Sequence, residues 1–275
     1  MEHVLTEHGF RLLYLRDSGA LGELDREAIL TDLLDSLPPG ELPPFLRLDL
    51  RDYDHLVIAS DLATGRNLGV LGGMNRMTRD ERLLVIDTAF VAAETRGQHL
   101  MRRMIALMLL RMAGIEVLPD VVTTLSQSTV FCHVLSRTAA AMRSVRFLPE
   151  PAQEDVIRFE PAALMRRISN SLGHKTDAAA TRAALHALAA HGSRGVPPLS
   201  ADLHAEYTFA PVRTLPAPLL AAIDLRHADE AELLEDARQL YRARPPRQRP
   251  ITLPSLERNP FWPAPRPERS CPARP

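Results

Sequence analysis

Apolar residues recur in short blocks along the first half of the chain. FRLLYLR (10–16) and HLVIASD (55–61) are apolar-rich and too short for helices, so they predict strands. Between them, DREAILTDLLDSL (25–37) carries apolar residues at helical spacing and stops at Pro38 and Pro39. ATGRN (63–67) is a turn, and LGVLGGMNR (68–76) returns from it as the second arm of a hairpin. After a polar turn at RDE (79–81), RLLVIDTAFVAA (82–93) is apolar at consecutive positions, the pattern of a central strand covered on both faces. A helix over about 99–113 follows, with Gly114 as its stop. Then come a strand at DVVTTL (120–125) and a helix over 129–145.

This order is a hairpin feeding a strand–helix–strand unit. Such a unit pairs its strands in parallel through a right-handed crossover, so the expected sheet is mixed. Farther on, 162–172 and 177–192 have helical spacing, 205–213 and 219–226 read as strands, and 229–243 reads as a helix. That last helix has acids in its first turn and arginines near its end, matching the helix dipole.

Composition adds bounds. The chain has 275 residues, 45% hydrophobic and 24% charged, enough to bury a sizeable core. No run approaches the roughly 18 apolar residues of a membrane span. The N-terminal MEHVLTEHGF has acids and no apolar core segment, so no secretory signal is expected. Cys132 and Cys271 are the only cysteines, which is no disulfide framework, and a cytoplasmic setting is expected. The net charge is −1 but uneven: from Arg242 onward there are eight arginines against two glutamates. The last 31 residues hold ten prolines, which predicts extended chain and no core of its own. Phe261 and Trp262 in that tail could stack on nucleic acid, but a solvated arm is the preferred reading.

Candidate chemistry gathers at the exit of the central strand. ETRGQHLMRRM (94–104) places Arg96 and Gly97 in a short loop before a helix. The free N–H groups of that helix start suit a pyrophosphate; a plain strand-to-helix turn is the competing reading. Asp87 stands inside LLVIDTAFVA, where burial is expected. A buried carboxylate must be paired, tied to backbone or functional. Cys132 and His133 are neighbours on a helix and point about 100° apart, so they form no nucleophile pair. Core thiol and surface imidazole are their ordinary readings. Ser126 and Ser128 stand at a strand exit, to bind substrate or, for Ser128, to cap the helix. His186 and His191 are five apart and share no helix face; no metal site is expected. GRNLGVLGG is neither a Walker loop nor a dinucleotide fingerprint.

The segment AFVAAETRGQHLMRRMIALMLLRMA (89–113) resembles the acetyl-coenzyme A signature of the GNAT superfamily of N-acetyltransferases. Aligned without gaps to R/Q-x-x-G-x-G/A, Arg96 takes the first position, and His99 and Met101 replace the two glycines. TTLSQSTVFCHVLSR…VRFLPEP resembles the strand, loop and helix that line the other side of the coenzyme. Ser128 stands near a common Asn, and Phe131, Cys132 and His133 surround the place of a common Tyr. The resemblance covers about 55–150.

It implies an α/β (α+β) fold: a mixed sheet with splayed central parallel strands and flanking helices, GNAT-like, with a helical insertion. The domain reading is a core over 1–160, an insertion over 161–195, completing strands and a last helix over 196–241, and the tail over 242–275. No completing strand is expected straight after the second helix of the core. The implied activity is transfer of an acetyl or other short acyl group from acyl-coenzyme A to an amine, with no metal. The implied partner is a small-molecule amine, ahead of protein, nucleic acid or membrane; a homo-oligomer stays open. The implied cofactor residues are Phe90, Val91, Arg96, Gly97, Gln98, His99, Leu100 and Met101. Asp87 is the implied base, with Cys132, His133 or water to reprotonate the thiolate. A non-catalytic GNAT-like binding module is the alternative.

Overall fold

The structure, a computed structural model, describes residues 2–4, 9–36, 50, 52–95, 98–115, 117–126, 129–148, 159–173 and 219–243. Among the described residues eight strands form one sheet: β1 (Glu2–Val4), β2 (Phe10–Arg16), β3 (His55–Asp61), β4 (Asn67–Met77), β5 (Arg82–Val91), β6 (Val121–Ser126), β7 (Arg146–Leu148) and β8 (Leu219–Asp224). Their spatial order is β1-β2-β3-β4-β5-β6-β8-β7. Every neighbouring pair is antiparallel except β5 with β6. The parallel pair arises where a helix, α2 (Leu100–Ile115), connects the two strands, as the crossover geometry requires. The mixed sheet with flanking helices is the fold class read from the sequence.

The two central strands part. Their pairing covers only Leu83–Val121, Leu84–Val122 and Val85–Thr123. One further tie, from Thr124 Oγ1 to the Ile86 carbonyl at 2.8 Å, marks the bottom of the fork. Above it β5 stays paired with β4 as far as Val91, while β6 stays paired with β8 as far as Ser126.

A bulge in β5 sits at the same level. Gly72 pairs with Thr88 and Gly73 with Ile86, so Asp87 has no partner across the ladder. An inserted residue resets the in–out alternation. Leu84 and Ile86 pack on one face of the sheet, and beyond the bulge Ala89 and Val91 do so. Phe90 lies against the opposite face, in the cluster beneath α1 (Glu23–Asp35). Asp87 and Thr88 are thereby both directed to the α1 side.

Helices cover both faces. On one, α2 and α3 (Thr129–Ala139) pack over the largest core cluster, joined by α5 (Glu230–Arg242). On the other, α1 covers Leu15, Leu56, Ile58 and Val70. Farther along that face α4 (Phe159–Ser171) packs Leu164, Met165 and Ile168 on Leu83, Val85 and Leu220. Helix α2 is buried on nearly every side, from Leu100 and Met101 through Arg103–Leu109 to Met112, because α5 lies over it. That is why LMRRMIALMLLRM is apolar almost throughout instead of striped.

Several expected boundaries move. Gly114 does not stop α2: the helix runs through it to Ile115, and a side chain there would meet open space. Helix α3 ends at Ala139, six residues early, where Ala140–Ser144 turn. A completing strand does follow it directly, contrary to expectation: β7 is three residues long and lies at the sheet edge on β8. Such a short edge strand leaves no period-two pattern to read. The strand expected at 219–226 is β8, filling the place between β6 and β7. The strand expected at 205–213 and the helix at 177–192 lie outside the described residues. Among the described residues no helix is long and apolar enough to cross a membrane, and no group of three His, Cys, Asp or Glu could hold a metal.

Candidate active site

The fork between β5 and β6 opens beside the start of α2. Residues 98 and 99 make the last turn before the helix, with the Gln98 N–H bonded to the Thr95 carbonyl at 3.2 Å. His99 has φ 60°, in the left-handed region. That conformation is one glycine adopts freely and histidine more readily than most other side chains. So the position calls for a glycine-type backbone, and here an imidazole occupies it. The Arg103 N–H bonds back to the His99 carbonyl at 3.1 Å as the helix begins. The N–H groups of Leu100, Met101 and Arg102 precede that first turn and have no intrahelical acceptor. The side chains of Leu100 and Met101 are buried in the core, so only their backbones face the opening.

Positive charge collects here. Burial first, and then Arg102, Arg103 and Arg137, holds the His99 imidazole below its ordinary pKa, so it is neutral at pH 7. Burial and the nearby Arg137 act in the same direction on Arg102. Its Nε is buried with no hydrogen-bond partner, and no carboxylate of a described residue pairs with it. Arg103 is committed elsewhere: its guanidinium donates to the Ala243 carbonyl at the end of α5. Helix dipole and the Arg102 guanidinium together make an anion-attracting corner.

The β5 edge of the fork offers backbone groups. The Ala92 N–H bonds to the Leu68 carbonyl at 2.7 Å, toward β4. Ladder alternation then turns the N–H and C=O of Phe90 toward β4 and those of Ala89 and Val91 toward the fork. Val91 is thus placed to bond an extended ligand in the gap, whereas Phe90 contributes its ring to the α1 side.

Asp87 sits just above the bottom of the fork. It is exposed, not buried, because the bulge turns it outward on the face between α1 and α4. The Tyr53 hydroxyl donates to its Oδ2 at 3.1 Å and also bonds Thr88 Oγ1. Tyr53 is a functional candidate that the sequence reading missed. It lies 34 residues from Asp87 in a segment, RDYDH, with no periodicity to mark it. Gly72, opposite the bulge, was the available signal. A Cβ there would come within 2.8 Å of the Tyr53 ring, so only glycine lets the ring lie on the strand.

The other predicted residues divide. Cys132 is fully buried in the core, and burial pushes its thiol up to about 12. A thiol enclosed there reaches no ligand in the fork, which removes it as a proton donor. His133, the next residue of α3, is half-buried. Ser126 ends β6, opposite Leu219 of β8. Arg96, Gly97 and Ser128 lie outside the described residues.

No protein-family model matches the sequence, and no curated protein matches it. Among solved structures, the chain is similar to an aminoglycoside acetyltransferase from an uncultured soil metagenomic sample, crystallised in complex with trehalose. The identity is 16%, the TM-score 0.32, and the match covers 55% of this chain and 94% of the other.

Proposed function

We propose that this protein transfers an acetyl or other short acyl group from coenzyme A to an amine. The observation that carries the reading is the fork: two parallel strands that part above Val85 and Thr123, directly beside the open N-terminus of α2. The gap suits a pantetheine arm, with Val91 as backbone partner. The N–H groups of 100–102, with Arg102, suit the pyrophosphate. The thioester end would then lie at the bottom of the fork, next to Asp87.

The chemistry follows from that placement. An amine approaching from the α1–α4 side loses a proton to Asp87, directly or through water, and its nitrogen attacks the thioester carbonyl. The new C–N bond forms as the C–S bond breaks, and the thiolate takes a proton from water or from His133. Cys132 has no part in this.

Calorimetric titration with acetyl-coenzyme A tests the binding half. Saturable binding below millimolar concentration is expected; none at millimolar cofactor would sink the reading. Asp87→Asn should leave that binding intact and lower transfer by about 10²-fold or more. Binding without transfer in the unsubstituted protein would favour a non-catalytic module.

A further inference from the structure

Tyr53 is held more firmly than a loop residue needs to be. Its N–H donates to Ser18 Oγ at 2.8 Å, and its carbonyl accepts from the Ser18 N–H at 2.8 Å. Ser18 is itself fully buried. One residue on each side, the Asp17 N–H bonds the Asp54 carbonyl at 2.8 Å, and Asp17 is held at φ 69°. The ring lies on the bare Cα of Gly72. All of this supports one hydroxyl, placed against the two side chains that the β5 bulge turns the same way.

A phenol has one proton to give. Tyr53 gives it to Asp87 Oδ2, so its bond with Thr88 has the threonine hydroxyl as donor. The result is a directed chain, Thr88 to Tyr53 to Asp87. It ends on one carboxylate oxygen and leaves the other, Oδ1, without a hydrogen bond from any described residue on an exposed side chain.

We infer that Tyr53, backed by Thr88 and seated on Gly72, is the positioning residue for the Asp87 carboxylate, locking Oδ2 so that Oδ1 faces the acceptor amine. This rests on the acyl-transfer reading. It adds that the orientation of the base is set from the loop before β3, not from β5 alone. An unanchored carboxylate on a bulge would sample several rotamers, and misplacement of a reacting group by about 1 Å can cost on the order of 10²-fold in rate.

The test uses the full-length protein with acetyl-coenzyme A, and spermidine and benzylamine as acceptors. Tyr53→Phe keeps the ring on Gly72 and removes only the hydroxyl. It should lower kcat roughly 10- to 100-fold, with KM for acetyl-coenzyme A within about twofold and the melting temperature nearly unchanged. Thr88→Val should reproduce part of that loss, and Thr88→Ser, which keeps the hydroxyl, should restore it. A second readout needs no turnover. Without the Tyr53 hydroxyl on Oδ2 both carboxylate oxygens are open to reagent, so carbodiimide labelling of Asp87, mapped by mass spectrometry, should be faster in Tyr53→Phe. Unchanged labelling, or faster labelling with unchanged kcat, would overturn the assignment. Failure of the acyl-transfer reading looks different: the unsubstituted protein binds no acetyl-coenzyme A while the labelling difference persists, and that outcome overturns the positioning of a base by Tyr53 with it.

Discussion

At the scale of single residues, His99 shows how one backbone angle separates a motif's chemistry from its letters. The helix start demands φ near 60°, and an L side chain there costs about 1–2 kcal/mol that glycine avoids. His99→Gly should therefore fold with equal or higher stability, whereas β-branched His99→Val should lose roughly 1–2 kcal/mol by denaturant titration. The surroundings add a pH term. The folded-state pKa of His99 is lowered, so the unfolded chain binds more protons below the ordinary value of 6.5. Stability is lost as pH falls from there toward the folded value. Melting curves at pH 7.5 and 5.5 should differ less in His99→Gly than in the unsubstituted protein. Equal pH dependence in the two would remove His99 as its source.

At the scale of elements, the bulge in β5 and the double glycine of β4 act as one device. Gly73 would place a Cβ 2.8 Å from Leu84, and Gly72 one 2.8 Å from Tyr53. The register shift between these glycines lies opposite the bulge. Gly72→Ala should force the Tyr53 ring off the strand. It should destabilise the protein by roughly 1–3 kcal/mol, as overpacking does, and it should also reduce transfer because the hydroxyl leaves Asp87. A variant that loses stability with kcat intact would show that ring seating and base orientation are separate. The sequence reading placed Asp87 on a covered strand because the apolar run is continuous. Local pattern cannot reveal a bulge, since the extra residue is defined by the partner strand's register.

At the scale of the whole molecule, ion pairs join segments that are distant in sequence. Arg167 of α4 pairs with Glu81 in the β4–β5 turn, with its Nε 3.0 Å from Oε1. Arg143 donates to the buried Asp236 of α5, and Arg82 to Asp120. Burial pushes Glu81 up, but hydrogen bonds from Arg167 and Thr78 outweigh it and hold the carboxyl below its ordinary value. Hydrogen bonding by Arg82 lowers Asp120, and Arg226 outweighs burial to lower Asp224. A depressed carboxyl contributes stability that is fully present above its unfolded value and is lost as pH falls through the folded one. Acid unfolding should therefore set in below about pH 4.5. Glu81→Gln should be less stable at pH 7 yet lose less on acidification, as followed by circular dichroism. A slope as steep as that of the unsubstituted protein would exclude this pair from the acid response.

Chain order and periodicity alone were enough for the hairpin, the central strand, the helix after it and the parallel pair, because each depends on contacts near in sequence. The helix start near 99, one residue from the observed Leu100, was legible for the same reason. The burial expected of Asp87 on that strand was not met, because it is exposed at the bulge. What only the tertiary structure decided involves pairs of distant segments. The parting of β5 and β6 depends on β8, about 100 residues beyond β6, holding β6 to the other side. The all-round burial of α2 depends on α5, which packs on it from the far end of the described chain. The meeting of Tyr53 with Asp87 needs a bulge, a glycine seat and a buried serine mount, contributed by three separate segments. A periodic pattern records which way one segment faces, and carries no trace of which distant segment will lie against it.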